Sequence, residues 1–134
     1  MIELILWKIV AAFSSLVLLD FVWINFLAKK LYFKELKNHV EIKKGKMKIR
    51  KLTALLVYVV LSIGIVIFAP NTNFMLVNLI SGLLFGFVIY GVYDLTNYSI
   101  MKDYSLKLAI VDITWGTLLC GIVSLIISSI HLLN

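Results

Sequence analysis

The sequence predicts an all-α integral membrane protein: a four-helix antiparallel bundle with both termini outside, plus an amphipathic helix in a cytoplasmic loop. Three observations predict it. The 134-residue chain is 62% hydrophobic with a mean hydropathy of +1.03, well beyond a water-soluble domain of this size. Its apolar residues gather into four stretches, about 4–28, 52–69, 74–97 and 106–131. Each reaches or approaches the ~20 residues that carry a helix across a ~30 Å hydrocarbon core. Ten of the thirteen Lys/Arg residues lie between Lys29 and Lys51, against Glu35 and Glu41 alone, so that loop carries a formal +8. By the positive-inside rule the loop is cytoplasmic. The whole chain, 1–134, reads as a single transmembrane domain with no room for a soluble catalytic one.

The first span contains Asp20 and is followed, not preceded, by its strong positive charge, so it reads as a retained span and not a cleaved leader. In the loop 29–51, Leu31-Tyr32-Phe33, Leu36 and Val40 recur at three and four residues among lysines. That spacing predicts an amphipathic helix on the inner leaflet, broken at Gly45, with its lysines on anionic headgroups. A membrane face is sufficient partner for these charges, and no nucleic acid is expected. The second span has no Asp, Glu, Lys, Arg or His between Leu52 and Ala69, only Thr53, Tyr58, Ser62 and Gly64 as polar or small residues. It is expected to face lipid for the most part, with Pro70 ending it and Pro70-Asn71-Thr72-Asn73 turning outside. The loop with Lys102, Asp103 and Lys107 returns to the cytoplasm. Trp7 at the outer face, and Tyr98 and Tyr104 at the inner one, fit interfacial belts.

Spans three and four share a device. Asn78, Gly82, Gly86, Tyr90 and Asp94 recur every four residues in one; Asp112, Gly116, Cys120, Ser124 and Ser128 do so in the other. Small residues at this interval let helix backbones approach closely in lipid, and the Gly82–Gly86 pair suits either the bundle or a homodimer. Each row ends in an aspartate, which directs Asp94 and Asp112 toward neighbouring helices.

Asp20, Asp94 and Asp112 are three of only seven acidic residues. A carboxylate inside the bilayer costs roughly 2.5–3.5 kcal/mol on insertion scales, so each is either a helix-pinning hydrogen-bonder or a functional group. All three fall in the cytoplasmic half: Asp20 ~12 Å and Asp112 ~9 Å from the inner boundary at 1.5 Å per residue, and Asp94 within a turn of it. Convergence would make an acidic pocket open to the cytoplasm. Asp20-Phe-Val-Trp23 and Asp112-Ile-Thr-Trp115 each put an indole beside a carboxylate at i, i+3, where it can donate across helices or wall a pocket. Tyr90, Tyr93, Asp94 and Asn97 form the densest polar-aromatic cluster, with Thr96 and Asn97 also suited to capping a helix end. The candidate binding residues are therefore Asp20, Trp23, Tyr90, Tyr93, Asp94, Asn97, Asp112 and Trp115. His39 and His131 fall at opposite faces, a single Cys120 forms no intramolecular disulfide, and no metal site or cofactor is assigned. No phosphate loop, dinucleotide fingerprint or serine triad motif is present.

Leu19-Asp20-Phe-Val-Trp23, the run Tyr90 to Asn97, and Asp112-Ile-Thr-Trp115-Gly116 resemble the signature of a family of small bacterial predicted membrane proteins, catalogued as domain of unknown function 2177. The likeness covers nearly the whole chain. It implies a multi-pass protein of the bacterial inner membrane and carries no assigned reaction.

Three functions follow from the residues. One is binding or transport of a cation, proton or small amphipathic molecule, since clustered carboxylates take up and release protons. Another is a membrane-embedded enzyme acting on a lipid or isoprenoid-like substrate, with two carboxylates dividing acid and base roles. The third is an accessory subunit whose aspartates pin helices. A water path joining both faces marks the first, a pocket opening sideways to lipid the second, and fully paired aspartates with no cavity the third.

Overall fold

The computed structural model describes residues 1–69 and 72–132, with side chains as far as Ile130. Pro70 and Asn71, expected to end the second span, and the side chain of His131 lie outside the described residues. Five helices and one small hairpin make up the fold: α1 (Ile2–Val22), α2 (Lys29–Leu36), β1 (Ile42–Lys43), β2 (Lys46–Met47), α3 (Lys51–Phe68), α4 (Met75–Ile100) and α5 (Leu106–Leu132). Four helices are long and apolar enough to cross a bilayer: Ile2–Leu27, Lys51–Phe68, Met75–Ile100 and Leu106–Ile130. Large apolar side chains such as Leu18, Val60, Leu84 and Val92 point outward over most of their length, as lipid requires and water forbids.

The first span extends beyond α1 through a wide turn at Trp23–Leu27, where the Ala28 N–H reaches back five residues to the Trp23 carbonyl at 2.8 Å. After it, α2 is shorter than its periodicity predicts. It stops at Leu36, well before Gly45, because Asn38, His39 and Val40 are weak helix formers and His39 docks on the far connector. His39 Nε2 lies 3.3 Å from the Asp103 carbonyl, and its ring packs against Tyr104. Gly45 instead belongs to a hairpin: Lys44 and Gly45 both take positive φ, 50° and 72°, between the paired residues Lys43 and Lys46. Both ion pairs among the described residues are here, Glu41 with Lys43 and with Lys48, and both are exposed.

Helix α5 organises the bundle. It packs against α4 along its length and against α1, while α1 also packs against α3. Ala12 and Leu16 of α1, Leu61 and Ile65 of α3, and Leu119, Val123 and Ile127 of α5 form the core. Consecutive α3 and α4 barely touch, so the ring of helices is left open between them.

The α4–α5 seam joins the two four-residue rows rung by rung. Asn78 meets Ser124, whose hydroxyl donates to the Asn78 carbonyl at 2.8 Å. A Cβ on Gly82 would lie 2.5 Å from Ser124 Cβ and 2.6 Å from the Cys120 carbonyl oxygen. One on Gly86 would strike the Gly116 carbonyl and Cys120 Cβ, and one on Gly116 would enter the Tyr90 ring. The glycine pair therefore serves the bundle itself. At the α3–α4 connector the buried Asn78 amide also folds the chain back, exchanging hydrogen bonds of 2.8 Å with the Thr72 N–H and carbonyl.

Candidate functional site

The last rung of that seam brings Asp94 and Asp112 together. Asp94, one turn and a half from the end of α4, is fully buried; Asp112 sits on the second turn of α5. Tyr104, from the connector between them, donates to Asp94 Oδ1 at 2.7 Å. Asp94 Oδ2 is buried with no hydrogen-bond donor among the described residues. The Asp94 carboxyl lies within hydrogen-bonding reach of the Asp112 carboxyl, itself an acceptor when ionised. Ionised carboxylates only accept, so this contact is complete when a proton or a cation lies between the two groups.

Asp112 receives its own donor from α2: the Tyr32 hydroxyl donates to Oδ1. Burial, reinforced by the Asp112 charge, pushes the Tyr32 hydroxyl well above the ordinary tyrosine range. Burial and the bond to Asp94 push Tyr104 the same way. Both phenols are thus held as donors. Trp23 Nε1 donates to the Tyr32 oxygen at 3.4 Å, and its ring stacks on Trp115, centroids 4.4 Å apart and planes 4° from parallel. Trp115 Nε1 then donates to Asp20 Oδ1 at 2.9 Å, while Tyr58 of α3 donates to Asp20 Oδ2 at 2.5 Å. One polar and aromatic chain therefore runs from α3 to α4 through every spanning helix.

Two cavities adjoin this chain. A polar pocket of about 270 Å³ is walled by Tyr32, His39, Tyr93, Asn97, Tyr104 and Asp112, beside the basic loop. An apolar groove of about 730 Å³ occupies the opening between α3 and α4, lined by residues including Leu56, Val60, Gly64, Phe85, Tyr90 and Tyr93. Tyr93, more than half exposed, lines both.

A family model described as "Predicted membrane protein (DUF2177)" matches residues 5–128. The chain belongs to this family. No curated protein and no solved structure matches it. In this DUF2177 member, five of the eight residues singled out from the sequence fall in two groups and three lie beside them. Asp20, Trp23 and Trp115 are linked to one another across α1 and α5; Asp94 and Asp112 form the pair. Tyr93 and Asn97 wall the polar pocket, and Tyr90 lies over Gly116 at the groove. The three aspartates do not converge into one open acidic pocket: only Asp112 lines it. Among the described residues no cluster of three or more His, Cys, Asp or Glu is arranged to hold a metal ion.

Three tyrosines carry the network that sequence reading assigned elsewhere. Tyr104 is buried and not part of an interfacial belt, whereas Tyr98 is exposed. Tyr58 turns the second span toward α1, so that span does contribute to the acidic region. Tyr32 points from α2 into the bundle and not onto a leaflet. The available signal was stoichiometric. Three carboxylates in apolar spans need neutral donors, and tyrosine is the longest one the composition supplies.

Proposed function

We propose that this protein binds, and passes on, a cation, proton or small amphipathic molecule at the Asp94–Asp112 pair. Asp94 carries the reading: a wholly buried carboxyl with one oxygen that no described residue donates to, beside a second carboxyl that lines a pocket. The described ion pairs all lie in the hairpin, so the pair receives no cationic partner from the described chain. A carboxyl pair left one positive partner short is a binding site for what supplies it.

We place the protein in the bacterial inner membrane, as one transmembrane domain with both termini outside. The loop 29–51 is cytoplasmic and rests its lysines on anionic lipid. Transport would use a homodimer, since four helices alone make a narrow path. A second reading, a membrane-embedded enzyme acting on a lipid or isoprenoid-like substrate, draws support from the groove that opens sideways and meets the polar pocket at Tyr93. In it Asp94 and Asp112 divide acid and base roles.

The test is native mass spectrometry of wild type and the Asp94→Asn/Asp112→Asn variant purified in mild detergent. A species retained by wild type and absent from a monodisperse variant supports the site and gives its mass. Spectra free of bound species in both reduce the pair to a helix fastener.

A further inference from the structure

The groove and the polar pocket are separate voids by shape and a single site by position. Tyr93 forms a wall of each, and Tyr90 beside it lies over Gly116, within the same seam that ends in Asp94 and Asp112. The groove follows α3 from Thr53 to Phe68, about 22 Å at 1.5 Å per residue. Its walls are aliphatic and aromatic, and its mouth faces the surface that lipid covers. At the far end Phe85 crosses from α4 to α3, its ring placed so that a Cβ on Gly64 would lie 2.7 Å from Cζ, and it packs 6.5 Å from Phe68. These rings wall the end of the groove at Phe68, and Tyr93 is among the residues that line it as well as the pocket. Together the voids fall in the ~300–1,000 Å³ range of small-molecule sites, mostly apolar with a few convergent polar groups.

The polar end selects the head. Its acidic pair is served by neutral tyrosines and, among the described residues, by no Lys or Arg, while His39 in the pocket wall directs Nε2 to the Asp103 carbonyl at 3.3 Å. Asp94 Oδ2 has no donor among the described residues, and of the two carboxyls only Asp112 lines the pocket. A protonated amine supplies both the charge and the N–H donors that this arrangement lacks. An alcohol supplies a donor without charge, and a carboxylate or phosphate repels.

We propose that the site takes a single-chain amphiphile with a protonated amine head, its chain in the α3–α4 groove, its head in the pocket against Asp112, entering sideways from the bilayer. This rests on the reading of Asp94–Asp112 as a binding site and names its ligand class.

The experiment compares hexadecylamine, hexadecanol and hexadecanoic acid, titrated onto the full chain in detergent and followed by native mass spectrometry. The variants are Val60→Trp and Ile89→Trp, which fill the groove from exposed, lipid-facing positions, and Asp112→Asn. Wild type is expected to hold the amine about tenfold or more tighter than the alcohol, the value of one hydrogen bond to a charged group. Each Trp variant, monodisperse, should weaken amine binding by a similar factor, and Asp112→Asn should erase the preference for amine over alcohol. Equal retention of amine and alcohol by wild type overturns the proposal. Indifference of amine binding to both Trp variants, with sensitivity to Asp112→Asn, overturns the groove and leaves the acidic site standing. Groove-dependent binding of all three amphiphiles that ignores Asp112→Asn overturns the acidic site, and this inference with it.

Discussion

At Asp20 both carboxylate oxygens are occupied, by Tyr58 from α3 and Trp115 from α5; at Asp94 one oxygen takes Tyr104 and the other has no donor among the described residues. The two acids belong to one network, yet they differ in what they have left to offer. A carboxylate whose acceptors are filled from two other helices fastens three helices together, and removing it strands its donors. A carboxylate aimed at another acid is incomplete until something positive arrives. Residue type is shared and both are set among apolar helices, so on this reading the count of donors separates a fastener from a site.

The sharpest way to break this distinction is Asp20→Ala. It leaves the Tyr58 hydroxyl and the Trp115 indole without acceptors, and each orphaned donor costs about 1–3 kcal/mol, so a loss of roughly 2–6 kcal/mol is expected in thermal unfolding in detergent. A wild-type midpoint would remove Asp20 from the role of fastener. Tyr58→Phe, which removes one of the two donors, should cost about 1–2 kcal/mol in the same measurement and free α3 from α1 first. Asp94→Asn should behave in the opposite sense. Its new N–H₂ supplies the donor the pair lacks, so stability stays within about 1 kcal/mol of wild type or rises while binding is lost. A destabilisation as large as that of Asp20→Ala would make the two acids equivalent.

The smallest effect concerns the tyrosines outside the spans. The unfolded chain ionises its tyrosines near pH 10. Tyr32 and Tyr104 keep their protons above that point, held by burial and by Asp112 and Asp94. The unfolded state then binds fewer protons than the folded one, so their contribution is complete below pH ~10 and declines as pH rises beyond it. Tyr32→Phe and Tyr104→Phe should each shallow that alkaline decline in stability. Ultraviolet titration of the folded protein should show correspondingly fewer phenolates at pH ~11 than in denaturant.

Much of this was legible in the sequence because lipid imposes simple rules. The four apolar stretches become the four long helices, and the rows that begin at Asn78 and Asp112 were legible as close-packing surfaces, though not that each is the other's partner. Their four-residue spacing encodes one close-packing surface on each helix, and the structure seats the two on each other. The donors were not legible. Tyr58 reaches Asp20 across 38 positions and Tyr32 reaches Asp112 across 80, pairings set by how α1 and α2 rotate against α3 and α5. No local period records such rotations. The early end of α2 was hidden for the same reason, since His39 leaves the helix to reach a connector over sixty residues away. The groove was invisible because it exists where two consecutive helices fail to pack, and a sequence advertises contacts more readily than gaps.

The glycine seam has a mechanical consequence. With Gly82 and Gly86 pressed onto the backbone of α5, the α4–α5 pair has no compliance between its members and moves as a single stiff blade. Deformation must be taken up elsewhere, and α3 is held by its packing on α1, by Leu61 and Ile65 in the shared core, by the Tyr58–Asp20 bond and by the Phe85 ring. Strain is therefore expected to gather at the α3–α4 opening, where neighbouring helices touch least, and to leave the seam between α4 and α5 as it is.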